Sequence, residues 1–239
     1  MEKKKVLVTG ASKGIGKAIC SRLLADGYSV VGIARNAPDE IPHGMDFYSV
    51  DLSDSKAVVE FLDEFKTKES FYGLVNNVGM VPSNKLEHVE LSDLHKAVQL
   101  NIEVAIIFTQ ALLPGMRSNR IGRILNISSR AALGKESRTI YSMTKAGIIG
   151  MTRTWALELA KQGITVNSIA PGPIGTEFFE SVNNSNDEKT QSLLASIPVG
   201  RLGQPQDVAH AAAYFLDERC GFVTGQTHFV CGGITIGAA

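Results

Sequence analysis

Val6-Leu7-Val8-Thr9-Gly10-Ala11-Ser12-Lys13-Gly14-Ile15-Gly16 is the stretch whose reading decides the fold. Its β-branched start, Val6–Thr9, predicts a strand, and the pattern from Ile15 to Ala25 predicts a helix. Glycines at 10, 14 and 16 let the connection turn tightly and bring backbone close to a ligand. A helix starting there points unpaired N–H groups and its positive dipole end at an anion such as a pyrophosphate. The spacing is G-x-x-x-G-x-G rather than the commoner G-x-G-x-x-G. The identification therefore leans on position, between the first strand and the first helix.

Outward from this turn, strand and helix patterns alternate. Strands are predicted at Tyr28–Ala34, Phe47–Val50, Gly73–Asn76, Ile121–Ser128, Ile164–Ile169 and Thr227–Val230. Helices are predicted at Ser53–Lys66, Ser92–Met116, Tyr141–Lys161 and Gln206–Leu216, the last one after Pro205. Short apolar strands separated by helices imply a parallel sheet covered on both faces. Right-handed crossovers then lead to an α/β, Rossmann-like, doubly wound parallel sheet in a single domain over residues 1–239. The one irregular region, Gly175–Val199, has a polar centre at Asn183-Asn184-Ser185-Asn186-Asp187 and is read as a partly helical lid over a substrate, opened by Phe178 and Phe179.

Composition narrows the function classes. Lysine plus arginine and aspartate plus glutamate each number 24, so no electrostatic case exists for nucleic acid or an anionic membrane. The N-terminal apolar run is only Val6-Leu7-Val8, too short for a signal core, and no stretch is read as approaching a membrane span. Cys20, Cys220 and Cys231 are odd in number and scattered, as expected of a reducing cytoplasm. The five histidines lack ligand-like spacing, and no metal site is expected.

Tyr141 and Lys145 stand four apart in a helical pattern, so they share one face, with Cβ atoms roughly 5–6 Å apart. A phenol has a reference pKa of about 10. A neighbouring ammonium favours the phenolate, so the pair reads as a tuned proton donor. Ser129 is a hydroxyl within reach of the same carbonyl.

Together these motifs resemble a short-chain dehydrogenase/reductase of the compact type, along nearly the whole chain. The family's T-G-x-x-x-G-x-G matches Thr9 to Gly16, which implies cofactor contacts from Gly10, Ser12, Lys13, Gly14, Ile15 and Gly16. The resemblance assigns the adenine side to Asp51 and Leu52. It also assigns cofactor contacts to Asn77 and Gly79 in Asn76-Asn77-Val78-Gly79, where valine replaces the family's alanine. Pro171, Gly172, Ile174 and Thr176 match the segment that lies along the nicotinamide. The catalytic set implied is Asn101, Ser129, Tyr141 and Lys145, with Tyr141 and Lys145 also touching the cofactor. Tyr141 is the implied proton donor and Ser129 orients the substrate oxygen. Lys145 lowers the tyrosine pKa and binds the ribose, and Asn101 holds a water of a proton relay. Ser129 stands twelve positions before Tyr141 where the family has thirteen, and Ser128 would restore the count. Alternation along a strand lets only one of the two serines face the site.

At the end of the second strand stands Arg35, with no acid until Asp39. Together with Lys13 it favours a ribose 2′-phosphate, hence NADP(H). The resemblance points to 3-oxoacyl-acyl-carrier-protein reductases, with a ketone or acyl thioester as substrate and a cytoplasmic homotetramer as the form. Arg120 matches a position that docks acyl carrier protein, while Gln162 stands where a second arginine is expected, and Cys231-Gly232-Gly233 departs from the usual aspartate-glycine-glycine. An NADP-dependent dehydrogenase of a free ketone, sugar, cyclic alcohol or acyl-CoA is the runner-up. A binding protein with the fold but no catalysis is the remote alternative.

Overall fold

Side chains that alternate along a strand must find apolar cover on both faces when the strand lies inside a sheet. Val6 and Val8 of β1 (Lys5–Thr9) pack on one side, and Leu7 packs on the other. The computed structural model describes residues 3–65, 70–177, 179 and 188–236. Following β1 in the chain are β2 (Ser29–Ala34), β3 (Met45–Ser49), β4 (Gly73–Asn76), β5 (Gly122–Ile127), β6 (Ile164–Pro171) and β7 (Thr227–Val230). All pairings are parallel, in the order β3-β2-β1-β4-β5-β6-β7. The chain winds outward one way from β1 through β3, then returns to β4 and winds the other way. This is the expected doubly wound α/β sheet.

One face is covered by α1 (Gly14–Ala25) and by the late helix Pro205–Leu216, through Ile19, Leu23, Val208 and Phe215. The other is covered by α2 (Ser55–Phe65), α4 (Val104–Asn119) and α5 (Thr139–Leu159), with α3 (Leu91–Val98) packed against α5. Their core contributions include Val58, Leu62, Phe108, Leu112, Met116 and Leu159. A short α6 (Glu188–Ala195) precedes the late helix, which is α7. Pro205 opens α7 behind a reciprocal cap in which the backbone N–H of Gln204 donates to Asp207 at 2.8 Å.

One expectation is refined and another corrected. The single helix read at Ser92–Met116 runs from Leu91 to Asn119, but a π turn that the reading missed, Gln99–Glu103, centred on Asn101, separates α3 from α4 within it. A π turn keeps its apolar residues on nearly the helical pattern while rotating one side chain out of it, and such turns gather at functional sites. The reading that no stretch approaches a membrane span fails for Leu91–Asn119, whose 29 residues have a mean hydropathy of 1.4 in their most apolar window. Its apolarity is spent on the sheet, where Phe108, Leu112 and Met116 are buried. Phe178 and the polar centre Asn183–Asp187 of the expected lid lie outside the described residues.

Candidate active site

In open α/β sheets, ligands bind beyond the carboxyl ends of the strands where the strand order reverses, here between β1 and β4. The glycine turn that follows β1 is held there by the segment that follows β4. Thr9 Oγ1 accepts hydrogen bonds from the backbone N–H groups of Asn77 at 3.0 Å and Val78 at 3.1 Å. Asn77 Nδ2 donates to the carbonyls of Thr9 at 2.9 Å and Gly10 at 3.1 Å. Gly10 has φ 67°, and a Cβ on Gly16 would lie 2.0 Å from the Gly10 carbonyl oxygen. Both positions therefore require glycine. No side chain caps α1, whose N-cap is Lys13, so its first N–H groups face the crevice. A cradle with no room for a Cβ and an uncapped helix N-terminus fits a dinucleotide pyrophosphate.

A cavity of about 270 Å3 opens beside this turn. Its wall brings together Ile15, Asn77, Gly79, Ser129, Tyr141, Lys145, Pro171, Gly172, Ile174 and Thr176, which are distributed over five segments of sequence. Thr176 lies against Gly14, and its hydroxyl accepts from the N–H of Phe179 at 3.1 Å. Other expected residues stand apart from this wall. Arg35 is exposed, and Lys13 is exposed with its ammonium 4.0 Å from the Glu177 carboxylate. Leu52 is buried. Asp51 accepts from the Ser53 hydroxyl at 2.7 Å and the Ser53 N–H at 3.0 Å, and these bonds, with a smaller contribution from Arg35, lower its pKa.

The two serines separate as strand alternation requires. Ser128 is buried and its hydroxyl donates to the Lys145 carbonyl at 2.7 Å. Ser129 lines the cavity with Tyr141, and its Oγ accepts from the N–H of Ala131 at 3.1 Å. Lys145 is buried, donates from Nζ to the Ile127 carbonyl at 2.8 Å, and lies 5.7 Å from the centre of the Tyr141 ring. Burial alone lowers its pKa to about 8. Burial raises the Tyr141 pKa, and the Ser129 hydroxyl and the charge of Arg138 pull it back. Burial is thus the largest influence on the Tyr141 pKa here, with Lys145 lying 5.7 Å from the centre of its ring. Desolvation outweighs the neighbouring charges, and the lysine is engaged with the end of β5.

Asn101 does not line the cavity. It lies behind Gly79, with Oδ1 accepting from Met80 N–H at 2.8 Å and Nδ2 donating to Met80 O at 3.1 Å and Thr144 Oγ1 at 3.0 Å. A Cβ on Gly79 would meet Asn101 Oδ1 at 3.0 Å and Lys145 Nζ at 3.5 Å. Both amide protons are therefore committed within the protein, and Asn101 ties the β4 turn to α5. Sequence reasoning missed Thr9 and Thr144 as clamps, because a buried hydroxyl leaves no periodic signal. It also missed Arg130, Lys135 and Arg138 in the cavity wall, although the basic run between Ser129 and Tyr141 was visible.

Residues 10–235 match the short-chain family model described as Enoyl-(Acyl carrier protein) reductase. The chain is 36% identical over 241 residues to the (2S)-((R)-hydroxy(phenyl)methyl)succinyl-CoA dehydrogenase subunit BbsD of Thauera aromatica, covering 95% of this chain and 94% of that one. It is 34% identical over 245 residues to the 3-oxoacyl-acyl-carrier-protein reductase FabG of Vibrio cholerae serotype O1, covering 98% of each. Among solved structures it resembles one from Agrobacterium tumefaciens, provisionally described as a 2-deoxy-D-gluconate 3-dehydrogenase with bound NADP. That match has a TM-score of 0.91 and 31% identity, covering 99% of this chain and 98% of that one. With the doubly wound sheet, the glycine cradle and the hydroxyl–phenol pair already in place, these likenesses along nearly the full length place the chain in the short-chain dehydrogenase/reductase family, oxidoreductases acting on alcohol and ketone groups.

Proposed function

We propose that this chain is an NADPH-dependent carbonyl reductase of 3-oxoacyl thioesters. The observation that carries the reading is one cavity wall shared by Ser129, Tyr141 and Lys145 and by the residues flanking the glycine turn. FabG and BbsD, as named, act on an oxygen function two carbons from an acyl carbonyl, which is the substructure this reading adopts. NADP is bound in the similar Agrobacterium structure. Here Arg35 and Lys13 would meet a 2′-phosphate, and Gly10, Ser12, Gly14, Ile15 and Gly16 would cradle the pyrophosphate. Asp51, Leu52, Asn77 and Gly79 would flank the adenosine, with Pro171, Gly172, Ile174, Thr176 and Lys145 at the nicotinamide half. When bound, the nucleotide supplies the hydride.

The chain's own part is protonic and electrostatic. Tyr141, kept protonated at neutral pH by burial, gives its proton to the developing alkoxide. Ser129 donates to the same oxygen, so two hydroxyl groups stabilise charge that is fully formed only in the transition state. Lys145, still largely cationic at pH 7, adds positive potential beside the phenol. Asn101 holds the β4 turn against α5 and keeps these groups in register. The segment near 175–199 serves as the lid, and Phe179 and Leu193 already stand in the cavity wall.

Carrier docking at Arg120 meets a geometric condition. Arg120 is exposed at the start of β5, roughly 20 Å of strand from Ser129 at its end. A carrier bound there would have to span that length to reach the cavity of its own subunit, and a homo-oligomer would offer a neighbouring one. The exposed face of α5, with Met143, Ala146, Gly147, Gly150 and Leu157, is the surface we assign to that contact. Arg117, which donates to Gln162 at 2.6 Å, supplies a second cation near the expected arginine. The test is turnover of acetoacetyl-acyl carrier protein, acetoacetyl-CoA and a panel of free ketones and sugars with NADPH or NADH. Preference for the thioesters with NADPH supports the reading. Preference for a sugar or cyclic ketone supports the free-ketone dehydrogenase, and no oxidation of NADPH with any of them defeats the enzymatic account.

A further inference from the structure

Arg130, Lys135 and Arg138 stand in the cavity wall on the connection between β5 and α5. With Lys145 they make four cations there, and among the described residues no aspartate or glutamate lines the cavity. In a chain whose charges balance at 24 each, this is a local excess. Among the described residues, none of the three forms an ion pair. Nη1 of Arg138 is buried without a hydrogen-bond partner. Glu136, the acid of this connection, is exposed and outside the wall. Burial, with the charges of Arg130 and Arg138, holds the Lys135 ammonium below its usual range, and burial does the same to Arg130. Crowded, partly desolvated cations cost stability until an anion joins them.

Their position fixes which part of a substrate they would meet. Arg138 stands at the N-cap position of α5, three residues before Tyr141, both side chains line the same cavity, and the Arg138 charge acts on the phenol itself. An anion at Arg138 therefore lies a few bonds from the reacting carbonyl. The phosphate of coenzyme A or of a carrier is a whole pantetheine arm away from its thioester. The pyrophosphate of the nucleotide belongs to the glycine turn. We infer that the substrate bears a carboxylate on its keto portion, a few carbons from the carbonyl, held by Arg138 with Arg130 and Lys135 beside it. The inference rests on the reductase reading above and adds the class of substrate.

Two measurements test it. In the first, NADPH-dependent turnover is compared for monomethyl and dimethyl 3-oxoglutarate, a pair differing in one negative charge. The wild type is expected to favour the monoanion in kcat/KM by about tenfold or more, as a charge-assisted hydrogen bond warrants. Arg138→Gln should bring the ratio close to one, and Lys135→Gln, on an exposed position, should lower it by a smaller factor. A wild-type ratio of one or less, or a ratio untouched by both substitutions, overturns the inference. In the second, calorimetric titration with glutarate, dimethyl glutarate and 4′-phosphopantetheine, with and without NADPH, needs no turnover. Glutarate should bind at least about tenfold more tightly to wild type than to Arg138→Gln, with no heat from the diester. Equal binding to both proteins, or tighter binding of phosphopantetheine, overturns the carboxylate assignment. Glutarate binding with the expected dependence while no ketone is reduced defeats the reductase reading and leaves the anion site standing.

Discussion

The two walls of the cleft are built from different materials. The wall at the β1–α1 turn is backbone, with glycines at 10, 14 and 16, an uncapped helix start, and clamps from Thr9 and Asn77 that keep carbonyls and N–H groups in place. The wall at α5 is side chain, with a phenol, a serine hydroxyl, a buried ammonium and three further cations. A backbone surface is damaged by adding atoms, whereas a side-chain surface is damaged by removing them. The first recognises by shape and dipole, and the second acts through protonation states that burial has shifted.

This contrast can be broken most severely at Tyr141. Tyr141→Phe takes away one oxygen and is expected to lower kcat by about 10²–10⁴ while leaving NADPH affinity nearly unchanged. Steady-state kinetics beside a fluorescence titration of NADPH would read both, and a loss below tenfold would remove Tyr141 from the acid role. On the backbone wall the complementary change adds one carbon. A Cβ at position 16 collides with the Gly10 carbonyl at 2.0 Å, so Gly16→Ala should weaken NADPH binding by about 10–100-fold, matching an overpacking cost of about 1–3 kcal/mol. Its kcat at saturating NADPH should stay near the wild-type value. An unchanged Kd would show that the turn relaxes freely, and the contrast would lose one side.

Smaller effects sharpen the comparison. Arg35 is exposed, so its electrostatic contribution is screened, and Arg35→Asp should move the NADPH-to-NADH ratio of kcat/KM by about tenfold toward NADH. A ratio that does not move would shift cofactor choice elsewhere. The smallest effect concerns stability. Lys145 has a folded pKa of about 8 against an ordinary 10.5, so between these values the unfolded chain binds more protons and stability rises with pH. Below pH 8 the lysine is protonated in both states and the full penalty of burying its charge is present. The gain between pH 8 and 9 is expected to be about 1 kcal/mol in wild type without nucleotide and absent in Lys145→Met. Urea unfolding of both proteins at the two pH values measures it. The thiol of Cys20, pushed up to about 12 by burial, acts oppositely above pH 9, which is why the window ends there. Equal slopes in the two proteins would mean that the amine is hydrated in solution.

Several of these features were legible before any coordinates. Strands buried on both faces are largely apolar, so Val6–Val8 and Gly73–Val75 announced a parallel sheet by their composition. Positions where only glycine fits also announced themselves, because no other residue can replace it at Gly10 or Gly16. The π turn at Gln99–Glu103 was hidden, since its apolar residues keep almost the periodicity of the helices on either side. The stretch of cavity wall formed by Arg130, Lys135 and Arg138 was hidden for another reason. A basic run in a connecting segment reads as a solvated surface until the fold shows which side faces inward.

From the amino-acid sequence alone came the class of fold, the order of its elements and the neighbourhood of the cleft, because these follow from local pattern and steric need. The tertiary structure alone decided which groups meet and in what state of charge. Lys145 finds its acceptor eighteen residues back, at Ile127, and Asn77 closes over a turn 67 residues before it. What is packed around Tyr141 raises its pKa, a shift that its spacing from Lys145 did not reveal. Spacing sets which residues can approach one another, but desolvation depends on everything that has folded around them.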